Sequence, residues 1–227
     1  MKHVGTSLTW SLLAVLAAHP ARATAPDFSG VWQIVTPVTS LTTTAGTEPP
    51  LLPAAKAIHD KYAAQRAAGD LSFDPAQKCK PLGEPRVLLQ PEAFKIVQNA
   101  KQVWFFYQWN NLVRWVNLNT KPDPDAFTTY FGSNTGTFVG NTLVVHAQLF
   151  NDFTFLDDSG LPHSDALVMT EKYHLADGGQ HLVADITFDD PKIFSAPWQT
   201  ELTFRKLPTD RIGLDVCEDR IDTSKFY

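Results

Sequence analysis

The sequence predicts a mainly β fold, a single antiparallel barrel or sandwich that carries one N-terminal helix. Three observations point there. From residue 86 onward, short runs rich in β-branched and aromatic residues follow one another with turn signals between them. No helical period interrupts those runs, and helical patterning occurs at only one place, residues 53–68. The chain of 227 residues is 44% hydrophobic and 19% charged, a globular composition that argues against disorder, collagen-like repeats and coiled coil.

Residues 1–23 read as an export signal. Lys2 provides the positive start, Leu12–Ala18 a short apolar stretch, and Ala21-Arg22-Ala23 a small-x-small cleavage site. The stretch is too short for a mature transmembrane anchor, so the bland alternative, an uncleaved anchor, is the weaker one. Cleavage leaves residues 24–227 as one β-rich domain, and its net charge moves from −5 to −7 because Lys2 and Arg22 are lost with no acid. That balance offers no basic footprint for nucleic acid. The expected location is periplasmic or secreted, with no stable membrane anchor.

Cys79 and Cys217 lie 138 residues apart. In an oxidising compartment an even count favours a disulfide over metal or redox use, the alternative being two buried free thiols.

The elements follow in order. Asp27–Val35 forms a first strand opened by Gly30, and residues 36–50, rich in Thr and Pro, form a loop. Residues 53–68 form a helix with Pro53 in its first turn and Gly69 as its stop; Ile58 and Tyr62 make a thin apolar stripe. A connector holding Cys79, Pro81, Gly83 and Pro85 follows. Val87–Gln90, Phe94–Gln98, Gln102–Gln108 and Leu112–Leu118 read as strands, with Asn110-Asn111 turning the last pair. Gly140-Asn141 joins Thr135–Val139 to Thr142–Leu149, and Asp177-Gly178-Gly179 joins Ala166–Leu175 to His181–Phe188. Trp198–Lys206 and Ile212–Cys217 are the last two strands.

Strand alternation then selects candidate site residues. Arg114 is in phase with Leu112, Val116 and Leu118, and Glu171 is in phase with Leu167, Met169 and Tyr173. An ionisable group on an apolar face needs a partner, and these two could pair with each other. One reading is an ion pair that only fixes register. The other is a cavity in which Glu171 acts as acid or base while Arg114 holds an anionic oxygen. His146 lies out of phase with its apolar neighbours, facing solvent or a polar lumen. His163 sits in the loop 157–164, where reacting groups often occur but exposure is commoner. Asp189-Asp190-Pro191 reads as a turn or a calcium contact. Trp104, Phe106, Tyr107, Trp115 and Tyr173 could line a hydrophobic pocket or simply fill the core.

Several mechanisms have no motif here. There is no Gly-x-Ser-x-Gly elbow, P-loop, Gly-x-Gly-x-x-Gly or His-Glu-x-x-His. No metal and no cofactor are expected.

The segments Phe28-Ser29-Gly30-Val31-Trp32, Cys79-x-Pro81-x-Gly83-x-Pro85-Arg86, Gly140-Asn141-Thr142-Leu143-Val144-Val145, Pro162-His163-Ser164-x-x-Leu167-x-x-x-Glu171, and Asp190-Pro191 with Pro197-Trp198 together resemble a family of exported bacterial proteins, mostly of unassigned function. The resemblance implies a lipocalin-like β fold and no particular reaction. In that family the position of His146 is usually Asp and the turn at 140–141 usually Gly-Asp.

Three functions are therefore expected in turn: a cofactor-independent lyase, isomerase or hydratase acting on a hydrophobic, aromatic small molecule; a non-catalytic carrier for such a molecule; or a structural partner using exposed aromatics. The oligomeric state stays open.

Overall fold

The computed structural model describes residues 25–217 together with Met1. The signal-peptide reading of residues 1–23 therefore falls, Met1 aside, outside the described residues. The chain forms a closed nine-stranded barrel in which each strand pairs with its sequence neighbours and β1 pairs with β9. The strands are β1 (Gly30–Ile34), β2 (Phe94–Gln98), β3 (Gln102–Tyr107), β4 (Val113–Leu118), β5 (Ser133–Val139), β6 (Thr142–Gln148), β7 (Val168–Ala176), β8 (His181–Asp189) and β9 (Trp198–Leu207). The barrel, not the sandwich, is the form taken.

Closure with an odd number of strands has a topological consequence. Directions cannot alternate all the way around, so one neighbouring pair must run parallel. That pair is β4 and β5, whose register covers only Asn117↔Thr135 and Leu118↔Gly136. The other eight pairings are antiparallel. A parallel pair needs a crossover, and residues 119–132 provide it, running back along the outside of the wall. Gly136 allows the two strands to meet, because a Cβ there would sit 2.7 Å from Val116 Cγ1. Below Asn117 the two strands separate.

Alternation fills the interior. Val103, Phe105 and Tyr107 of β3 point inward while Trp104 and Phe106 point out. Phe94 meets Phe204 edge to face at 5.0 Å, and Phe188 stacks on Trp198 at 4.3 Å. These rings join Trp32, Tyr173 and the aliphatic core in one cluster.

The helix α1 (Pro53–Ala67) packs outside the barrel. Its inward face differs from the expected stripe. Ile58 is exposed, whereas Tyr62 stacks on Phe73 at 4.7 Å with Phe155 edge-on, and His59 reaches the Ser159 hydroxyl at 2.8 Å. Those contacts set the helix rotation, and Ile58 is left on the solvent side. No helix among the described residues is long and apolar enough to cross a membrane.

Two expected strands are not strands. Arg86–Leu89 is a 3-10 turn with all four side chains buried. A short apolar run buried on every side carries no period that distinguishes strand from turn. Residues 212–217 run without a ladder and are tied instead to the turn after β3: Asp215 accepts from the Asn110 backbone N–H at 2.8 Å, and the Cys217 N–H donates to Asn110 Oδ1 at 3.2 Å. The expected disulfide then closes this corner, joining Cys79 to Cys217 with Cα atoms 5.6 Å apart.

Candidate functional site

Arg114 on β4 and Glu171 on β7 meet inside the barrel, as their phases imply. Nη1 and Nη2 of Arg114 donate to the two Glu171 oxygens at 2.9 and 2.8 Å, a bidentate pair. Nη1 also reaches Glu84 at 3.1 Å, and Nε and Nη2 donate to Asn134 Oδ1 at 3.0 and 2.7 Å. All five N–H groups of the guanidinium are thus engaged. The Tyr173 hydroxyl donates to Glu171 Oε2 at 2.6 Å, and the Tyr107 hydroxyl donates to Glu84 Oε1. Arg114, Glu84 and Glu171 are all buried, and Arg114 also lies over the Phe105 ring at 5.6 Å.

Glu84 enters this cluster from the Pro- and Gly-rich connector, a segment with no strand period, so no phase argument could have found it. Its other oxygen, Oε2, is buried without a hydrogen-bond partner. Burial raises the Glu84 carboxyl, the Arg114 charge pulls it down and the Glu171 charge pushes it up again, leaving it at about 7. Burial works against the Arg114 charge, but the two carboxylates outweigh it and hold the guanidinium protonated well above its ordinary value. Burial and the adjacent carboxylates raise both tyrosine hydroxyls well above theirs.

The shift at Glu84 has a signed consequence. The folded chain holds a proton up to about pH 7 that the unfolded chain releases near 4.5. The resulting stabilisation is complete below 4.5 and lost as pH rises through 7. His163 opposes this below its ordinary 6.5, because burial lowers its pKa and keeps it neutral. The comparison to make is therefore between variants at equal pH. Between pH 5 and 8, Glu84→Gln should gain stability relative to the native protein as pH rises, read as the difference in urea midpoints; parallel curves would contradict the placement of Glu84.

The remaining expected site residues lie elsewhere. His163 is buried rather than exposed on its loop: Nδ1 donates to the Ser164 carbonyl at 3.2 Å, which fixes Nε2 as acceptor for the Thr154 hydroxyl at 2.8 Å. Thr154 in turn packs against Gly83, where a Cβ would come within 2.8 Å of its oxygen. His163 thus braces the connector that carries Glu84 and does not enter the charged cluster. His146 is exposed on the outer face of β6 beside Thr170, 3.2 Å away. Trp104 and Trp115 pair across β3 and β4 on the outer face, with Phe106 beside them. Of the five aromatics singled out, only Tyr107 and Tyr173 reach the interior. Asp190 closes a turn, accepting from the Ser164 hydroxyl at 2.8 Å and the Lys192 N–H at 3.1 Å.

The outer aromatics do frame a cleft. Where β4 and β5 separate, a space of about 310 Å³ lies between the wall and the crossover, lined by Val113, Trp115, Phe127 and Phe131 with Arg114 and Asn134 at its base. Phe131 stacks on Tyr107 at 5.8 Å, and the Asn134 side chain donates to the Phe131 carbonyl at 3.0 Å. The cleft therefore backs directly onto the charged cluster. Phe127 is 86% exposed and Trp115 55% exposed.

A second, polar cleft of about 340 Å³ lies over Arg86, which makes a bidentate pair with Asp74 and donates through Nε to Asp158 at 2.7 Å. Those charges satisfy one another. Glu48, His59 and Asp60 come close enough to share a cation, but the Lys56 ammonium already bonds Glu48 at 3.1 Å and Asp60 at 2.9 Å.

The chain matches no protein-family model and no curated protein.

Proposed function

We propose that the protein is an exported binding protein for a hydrophobic, aromatic small molecule, held at the opening between β4 and β5. The observation that carries this reading is the exposure of Phe127 and Trp115 around the cleft of about 310 Å³ where the barrel ladder is incomplete. Exposed aromatic surface around a concavity is the usual signature of a site that a ligand covers. The disulfide is consistent with an oxidising compartment and so supports export.

A second reading, the cofactor-independent lyase, isomerase or hydratase, is favoured by one observation, the buried Glu84 acid poised near neutrality. It would rest on Glu84 more than on Glu171, both of whose oxygens are taken by Arg114 and Tyr173.

The test uses 1-anilinonaphthalene-8-sulfonate as a fluorescent apolar probe on the purified protein. Binding should weaken roughly ten-fold in the Trp115→Ala/Phe127→Ala variant, because two ring contacts of a buried aromatic ligand are lost. Melting should change by only a few degrees. Undiminished binding in that variant would contradict the location. Under the carrier reading, Glu84→Gln keeps its affinity for every ligand found; loss of a measured turnover in Glu84→Gln would favour the enzyme instead.

A further inference from the structure

The cleft wall contains an unfinished strand edge. The Tyr107 N–H donates to the Leu112 carbonyl and the Leu118 N–H to the Lys101 carbonyl, both at 2.8 Å, so the even-numbered residues of this stretch face β3. Alternation then aims the N–H and C=O of Val113, Trp115 and Asn117 toward β5. The Asn119 N–H, on the same side, does reach the Gly136 carbonyl on β5 at 2.8 Å. The register with β5 begins only at Asn117, so Val113 and Trp115 lie beyond the ladder. Both line the cleft.

Three polar side chains of the wall are taken up within the protein. The Arg114 guanidinium is fully engaged, Asn134 is used on both ends by Arg114 and the carbonyls of Phe131 and Gly132, and the Thr129 hydroxyl donates to the Gly132 carbonyl at 3.0 Å. Besides the side chains of Asn117, Asp123 and Ser133, which also line the cleft, the wall offers a ligand its strand edge, a donor and an acceptor spaced as in a peptide. A carboxylate or an isolated ether would match only one of the two. An extended residue, which turns its own N–H and C=O to the same edge, matches both, while its ring can enter the space between Trp115, Phe127 and Phe131.

We infer that the ligand carries an aromatic residue flanked by a carbonyl on each side of its Cα and N–H, so that the N–H and C=O of that one residue extend the β4 ladder at Trp115. This rests on the binding reading above. The same chemistry is presented by an N-acylated aromatic amino acid and by one residue of an extended peptide.

The test titrates isotope-labelled protein with N-acetyl-L-phenylalaninamide, its analogue methylated on the phenylalanine nitrogen, and acetyl-Ala-Phe-Ala-amide, following backbone amide resonances. The first probe should move the Trp115 and Val113 amides, and the methylated analogue should bind at least about five-fold more weakly for want of one donor. Tighter binding of the tripeptide would assign the site to a peptide, and equal binding to a free acylated amino acid. Equal affinity for the methylated analogue, or binding that leaves both amides unmoved, overturns the inference. The naphthalene probe in parallel separates the two failures: if it still binds at the cleft, only the amide inference is lost; if it does not, the binding reading itself is lost.

Discussion

Replacing Arg114 by Met should cost about 3–5 kcal/mol of stability, the penalty for removing one partner of a buried ion pair. The substitution strands Glu84 and Glu171, both buried, with only their tyrosines. For a chain of this length the melting point should fall by on the order of 10 °C. Much of the loss belongs to the orphaned carboxylates more than to the arginine, so adding Glu84→Gln and Glu171→Gln to the same variant should recover a large part of it. Equilibrium urea unfolding of the single and triple variants measures this. A single variant within 1 kcal/mol of the native protein would mean that the cluster is solvated and that the barrel interior is not as described.

Loss of the disulfide should have the other large effect. The Cys79–Cys217 bond closes a loop of 138 residues, and the chain-entropy model assigns such a loop about 5 kcal/mol, an upper figure because strain and residual denatured structure reduce it. The Cys79→Ser/Cys217→Ser variant should unfold at a markedly lower urea concentration, and a reducing agent should bring the native protein to the same midpoint. Reducing agent without effect on that midpoint would contradict the bond. The bond also anchors the connector that delivers Glu84, so the same variant should show a weaker pH dependence around 7.

The sequence reported some of this geometry clearly and hid the rest for identifiable reasons. Arg114 and Glu171 were legible because both sit mid-strand, where a period of two fixes the face. The same period already separates Val103, Phe105 and Tyr107 from Trp104 and Phe106, so the two outward rings could have been excluded from the interior by the rule that placed Arg114. Glu84 was not legible, since an irregular connector has no face to be in phase with. The parallel β4–β5 contact follows from an odd strand count in a closed barrel, and strand count is what misread runs such as 87–90 and 212–217 obscure. His163 lies on a loop, as its sequence context implies; its burial comes from Thr154 and Phe150, contacts that local sequence does not encode.

The most direct measurement is a map of where an apolar aromatic probe binds, taken from backbone amide shifts of the labelled protein titrated with 1-anilinonaphthalene-8-sulfonate. The largest shifts should fall in residues 113–117 of β4 and 123–134 of the crossover and early β5, the walls of the cleft. Shifts centred instead on the Asp74–Arg86–Asp158 cleft beneath the helix, with residues 113–134 unmoved, would contradict it.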